Sequence, residues 1–219
     1  MPNHLISFFY HHSPANSPRD SLQTSMKQLI AFLLLSFSTV LAAEKPNIIY
    51  ILADDLGWAD VGWHGGEIKT PHLDKLAEGG AKLEQFYVLP VCTPTRAALM
   101  TGRYPIRHGL QVSVVRPWAQ YGLPLDERTL PQALKEAGYT THISGKWHLG
   151  HHEQFLPTNH GFQEYAGIPY SNDMWPQHPN KKANYPDLPW IEMTKTVEVN
   201  PDQTRFTKEL TKRAVQFIT

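Results

Sequence analysis

Three short runs of this chain have the length and composition of strands, and each hands over at once to residues with chemistry to offer. Residues 46–53 (PNIIYILA) form an isoleucine-rich run suited to a buried parallel strand, followed directly by Asp54 and Asp55. Residues 81–89 (AKLEQFYVL) alternate well enough for a strand that delivers the chain to Cys92. Residues 139–144 (YTTHIS) are short and β-branched, and lead into Gly145-Lys146-Trp147-His148-Leu149-Gly150. Helical stretches stand between and after them. One begins at Thr70-Pro71 and ends at Gly79-Gly80, with Leu73, Leu76 and Ala77 on one face. A second runs from Glu127 to Gly138. A third covers 202–218, with Phe206, Leu210 and Phe217 among its apolar positions. This is the pattern of an α/β fold, in which ligand sites collect beyond the carboxyl ends of the strands.

The stretch 91–103 (VCTPTRAALMTGR) holds the only cysteine, so no disulfide can form within the chain. Thr93 has the character of an N-cap and Pro94 suits a first helical turn. Ala97 to Met100 propagate a helix that Gly102 can end. Cys92 then sits at the positive end of a helix with Arg96 one turn on, where a developing anion is stabilised. A lone cysteine is more often a small buried hydrophobe, but the neighbours here are Thr, Pro, Thr and Arg.

Taken alone, the Asp54-Asp55 pair reads more readily as a turn or helix cap than as oxygen ligands for a hard cation. In extended backbone Lys146 and His148 point to one side, as a clamp for an anionic group would require. The competing reading is a solvated lysine and a histidine packed beside Trp147. Lysine plus arginine and aspartate plus glutamate are balanced at 20 each, which gives no electrostatic footprint for nucleic acid. Residues 1–25 lack sustained periodicity and read as disordered or as an over-extended start. Residues 26–43 have a lysine, an apolar run and a small-residue end, the pattern of a secretory signal. The run is too short to favour a stable membrane span, and the expected location is secreted or periplasmic. Residues 44–219 remain for the folded domain.

The residues Cys92-Thr93-Pro94-Thr95-Arg96, with Thr101-Gly102-Arg103 after them, resemble the signature of the type I, formylglycine-dependent sulfatases. The segment LADDLGWADVGWHGG is similar to the opening of the arylsulfatases, GKWHLG matches a further family segment, and 155–176 resembles arylsulfatase A-like enzymes. The resemblance covers nearly all of 46–219 and looks most like arylsulfatases A and B. It implies an alkaline-phosphatase-like mixed sheet flanked by helices, and hydrolysis of a sulfate ester on a small molecule or glycan. It implies that maturation machinery converts Cys92 to formylglycine, whose hydrate is the nucleophile. By the same resemblance Asp54, Asp55 and residue 92 hold Ca2+ or another divalent metal. Cys92, Arg96, Lys146 and His148 are catalytic, and Lys146 and Ser171 contact substrate.

Asp60, His64, Asn172 and Asp173 are left outside the site. His151 and His152 are expected to be solvated, His160 to pack with Phe162, and 112–125 to line the pocket. The family carries a further Asp-Asn pair, a histidine and a second lysine downstream. The resemblance therefore implies an amino-terminal portion, truncated at its C-terminus and with little activity alone. Two other readings stay open: a phosphonate or phosphodiester hydrolase of the same superfamily, and a truncated, non-catalytic binding module.

Overall fold

The computed structural model describes residues 45–219. The stretches 1–25 and 26–43, whose sequence reads as a disordered start and a signal, lie outside the described residues. Residues up to Ala53 and residues Asp54–Thr219 form two separate units. In the first, 46–53 carries no strand among the described residues. The second contains the sheet, the helices and the core.

Four strands form a mixed sheet in the order β1 (His142–Lys146), β2 (Glu164–Ile168), β3 (Pro189–Glu192) and β4 (Lys195–Val199). β1 pairs parallel with β2, while β2–β3 and β3–β4 are antiparallel. The expected strand at 139–144 therefore exists but is displaced toward the site. Gly145, which follows the expected strand, is part of the ladder and faces Gly167. A side chain on Gly167 would place its Cβ 1.9 Å from the Gly145 carbonyl oxygen, so this crossing admits only glycine there. The ladder thus continues to Lys146, and Lys146 is placed by strand geometry.

The second expected strand, 81–89, is absent: the segment is a loop with a turn at Leu83–Phe86, and Leu83, Phe86, Tyr87 and Val88 are exposed. Alternation alone does not make a strand; a ladder partner does, and none of the described strands pairs with it. Helix α1 (Pro71–Glu78) forms as expected, but Leu73 and Leu76 lie exposed and do not form a packing stripe.

α2 (Cys92–Thr101) begins two residues earlier than its sequence implies, with Val91 and not Thr93 as N-cap, and Gly102 ends it in the left-handed conformation. α3 (Leu130–Glu136) opens on a capping box in which Thr129 and Gln132 satisfy one another's backbone N–H. α4 (Phe206–Ile218) docks on the sheet as its amphipathic pattern predicts. Phe206 and Leu210 pack with Ile168, Tyr170 and Trp190, Phe217 stacks on His142, and the Ser144 hydroxyl donates to the Leu210 carbonyl.

The main core gathers Ala97, Leu110, Val115, Leu123, Trp147, Leu149, Leu156, Tyr165 and Ile191. It draws on α2, the 110–123 stretch and the sheet at once, so the helix bearing Cys92 is fixed against β1 and β2 by shared apolar burial. Val115, Ala119 and Leu123 of the stretch expected to line a pocket are core residues instead.

Candidate active site

Five side chains from four separate parts of the chain meet at the carboxyl end of β1. Lys146 Nζ lies 2.9 Å from Asp54 Oδ2, 3.3 Å from Cys92 Sγ and 3.3 Å from Ser171 Oγ. Arg96 donates through Nη2 to Asp54 Oδ2 at 2.7 Å and through Nη1 to the Lys146 carbonyl at 2.5 Å. The guanidinium thereby ties α2 to both the aspartate and the strand end, and both outer nitrogens are engaged. Cys92 Sγ is 3.7 Å from Asp54 Oδ1.

Asp54 is under opposed influences. Partial burial pushes its pKa up, but hydrogen bonds and charge from Lys146 and then Arg96 outweigh this and hold it below the usual carboxylate range.

His148 reaches the same neighbourhood by a route that alternation does not predict. Its φ is 61°, in the left-handed region, so the backbone is no longer extended where His148 follows Lys146. The turn is held by Trp147 N–H donating to the Ile168 carbonyl and His148 N–H donating to the Pro169 carbonyl, each at 3.0 Å. The ring is almost wholly buried, and neither nitrogen has a well-formed hydrogen bond among the described residues. Burial first, then the charges of Lys146 and Arg96, lower its pKa to about 3, against smaller upward influences from Asp54 and the Val115 backbone. His148 is therefore neutral at pH 7, and its burial beside two cations makes it a weak base.

Thr93, expected as an N-cap, does something else. Its buried hydroxyl donates to the His148 carbonyl at 2.8 Å and accepts from Val115 N–H at 3.0 Å. It pins the residue after Cys92 to the His148 loop and to the 112–118 stretch. Glu127 is a residue that sequence reasoning missed. It is nearly buried and accepts from Arg103 Nη1 at 2.8 and 2.6 Å, holding the end of the TGR turn. Its only signal in the sequence is an acid at the start of a helix, and the helix starts later.

The residues left outside stay outside. Asn172 bonds Gln203, Asp173 lies 3.9 Å from His178, and His64 stacks on Trp58. His151 and His152 are half-buried and pack on one another instead of being solvated. His160 is buried against Trp147, which in turn meets Phe162 edge-on.

Ligand atoms of Asp54, Asp55 and Cys92 lie within 4.8 Å of one another. The two carboxylates are hard oxygen donors of the kind calcium takes, whereas a thiol is soft and mismatched. Oxygen in place of sulfur on residue 92 would make the set uniformly hard. Three ligands would still fall short of the roughly six to eight that calcium prefers. Asp55 has φ of 54°, a conformation that aspartate tolerates better than most residues. Among the described residues, no helix is long and apolar enough to cross a membrane.

The comparisons with known proteins bear on the family and the fold. The family model described as "Sulfatase" matches residues 46–219. Arylsulfatase J of Mus musculus is 56% identical over 125 residues, covering 57% of this chain and 21% of its own length. Arylsulfatase A of Bos taurus is 49% identical over 155 residues, covering 69% of this chain and 31% of its own length. The chain thus spans between about a fifth and a third of those curated relatives. The crystal structure of Ps i-CgsB in complex with k-i-k-neocarrahexaose superposes with a TM-score of 0.68 at 38% identity, over 80% of this chain and 41% of that one.

Proposed function

Since the chain belongs to the sulfatase family over residues 46–219, we propose that it carries the nucleophile-bearing part of an enzyme that hydrolyses sulfate esters of carbohydrate. One observation supports this above others: Cys92, Asp54 and Lys146 come together within hydrogen-bond or near-contact distance from 54, 92 and 146 in sequence. Cys92 is the residue converted to formylglycine, and the hydrated aldehyde supplies the oxygen that attacks sulfur. A divalent cation, expected to be calcium, would be held by Asp54 and Asp55 and would draw charge from the sulfate oxygens.

The chain's own side chains then have separable tasks. Lys146 Nζ, between Cys92 and Ser171, donates to the nucleophile and to a sulfate oxygen, and Ser171 offers a second polar contact. This places positive charge where negative charge grows as sulfur is attacked. Arg96 acts through Asp54 and the Lys146 carbonyl and so is a positioning residue. His148, buried, neutral and beside these charges, is suited to hold a hydroxyl of the residue 92 hydrate or a sulfate oxygen by a hydrogen bond as a neutral imidazole. A carbohydrate ester is favoured because a relative of this fold was crystallised with an oligosaccharide. Export through 26–43 would place the protein outside the cytoplasm.

The test is peptide mass spectrometry on protein made in a host with the maturation machinery, joined to an aryl sulfate and sulfated oligosaccharide panel with added calcium. An aldehyde at position 92 is expected, with any turnover abolished by Cys92→Ala. A free thiol alone in such a host would overturn the reading. Turnover of phosphonate esters over sulfate esters would redirect it.

A further inference from the structure

Beside the site lies an ordered aromatic cluster that the sulfate chemistry does not use. Trp118 is 56% exposed, yet its ring stacks on Tyr185 with centroids 5.7 Å apart and planes 18° from parallel. The Tyr185 hydroxyl accepts from Arg116 Nη1 at 2.7 Å. His178 meets the Tyr185 ring edge-on at 5.2 Å, and His178 Nε2 lies 3.9 Å from Asp173. An isolated exposed tryptophan would need no explanation. This one is oriented by its stack on Tyr185, which is itself held by the Arg116 hydrogen bond, the His178 edge contact and packing against the Ile168–Trp190 core, while Trp118 stays more than half exposed. Pre-set geometry on an exposed aromatic face is what a binding platform needs.

Two loops carry this platform, and each also reaches the sulfate clamp. Val115 N–H is bonded to Thr93, next to Cys92, and Arg116 and Trp118 follow it directly. Three residues of chain span at most about 11 Å, so Trp118 cannot stray far from the clamp. On the other side Ser171 touches Lys146, and its carbonyl accepts from Met174 N–H in the turn that leads to His178. We infer that Arg116, Trp118, Tyr185 and His178 form a carbohydrate subsite that takes a sugar ring beyond the one bearing the scissile sulfate. The electron-rich face of Trp118 suits the C–H-bearing face of a pyranose. Arg116, charged and partly exposed, suits a hydroxyl or a second sulfate on that sugar. The inference rests on the sulfate-ester reading and adds to it a determinant of glycan length and pattern.

The test titrates the full chain with a sulfated hexasaccharide and its desulfated counterpart, by calorimetry, in wild type and in the variants Trp118→Ala, Trp118→Phe and Lys146→Ala. Expected is a loss of about tenfold or more in affinity for Trp118→Ala, substantially restored in Trp118→Phe, with unchanged circular dichroism. If Trp118→Ala binds as wild type while Lys146→Ala does not, the platform is overturned and the clamp stands. If Lys146→Ala binds as wild type while Trp118→Ala does not, the platform stands and the clamp assignment fails. Absence of binding by wild type overturns both. A wild-type chain that self-associates through this face, and is made monomeric by Trp118→Ala, would also overturn the subsite.

Discussion

The ammonium of Lys146 lies 2.9 Å from Asp54 Oδ2, the carboxylate best placed to hold a cation. A divalent ion and Lys146 therefore compete for one oxygen, and like charges at such range repel even where solvent screens them. Lys146→Gln is expected to bind calcium several-fold more tightly than wild type in low-salt calorimetry, while its affinity for sulfate falls. Unchanged calcium affinity would show that Lys146 already swings clear when the ion arrives.

Acid should destabilise this protein in a particular window. His148 has a folded pKa of about 3, below the ordinary histidine value of 6.5. Between those values the unfolded chain binds the extra proton, so stability is full above about pH 6.5 and falls as pH drops toward 3, by up to about 1.4 kcal/mol per pH unit. His160, lowered to about 4 by burial, adds in the same direction. Urea midpoints measured from pH 7 to pH 4 should decline, and His148→Gln should decline less steeply. Parallel slopes for the two proteins would mean that His148 is not buried and neutral.

Thr93 joins α2 to the His148 loop and the Val115 stretch through one hydroxyl. Thr93→Val keeps the shape but leaves the Val115 N–H and the His148 carbonyl unsatisfied. A loss of roughly 1–3 kcal/mol is expected in urea unfolding, with Thr93→Ser close to wild type. Wild-type stability in Thr93→Val with a loss in Thr93→Ser would assign the effect to the methyl group instead.

Gly167→Ala should be poorly tolerated, since its Cβ would overlap the Gly145 carbonyl and its φ is 153°. The expected outcome is loss of soluble, cooperatively unfolding protein, whereas Gly145→Ala, with open space around its Cβ position but φ of 137°, should be milder. Comparable yields and melting temperatures for Gly167→Ala and wild type would contradict the close crossing of β1 and β2.

Some parts of the molecule are legible in its residues alone. That Asp54, Cys92, Arg96 and Lys146 are neighbours is legible because each sits in a short motif at the end of an expected strand or the start of a helix, whereas Ser171 is named only through the family resemblance. The positions of α2 and α4 are legible because period and end signals agree. Other features depend on what the chain meets in space. Residues 81–89 alternate but find no ladder partner among the described strands, and β4 is exposed along its length and polar enough to pass for loop. β2 contains Gly167, which weakens any strand signal until Gly145 is seen opposite it. Thr93 reads as a cap because a cap is the local use of a threonine, whereas its actual partners lie 22 and 55 residues away.

Asp55 and His148 share a property that bears on how any mutational map of this protein is interpreted. Both hold left-handed backbone, with φ of 54° and 61°. Alanine at either position removes the functional group and also leaves in left-handed backbone, which costs about 1–2 kcal/mol, a residue that tolerates it less well than aspartate or histidine does. Activity lost in such a variant would mix chemistry with geometry. Asparagine or glycine at 55, and glycine at 148, keep the turn accessible and remove only the group under test. A scan that used alanine throughout would overstate these two positions relative to Lys146, whose backbone is ordinary strand.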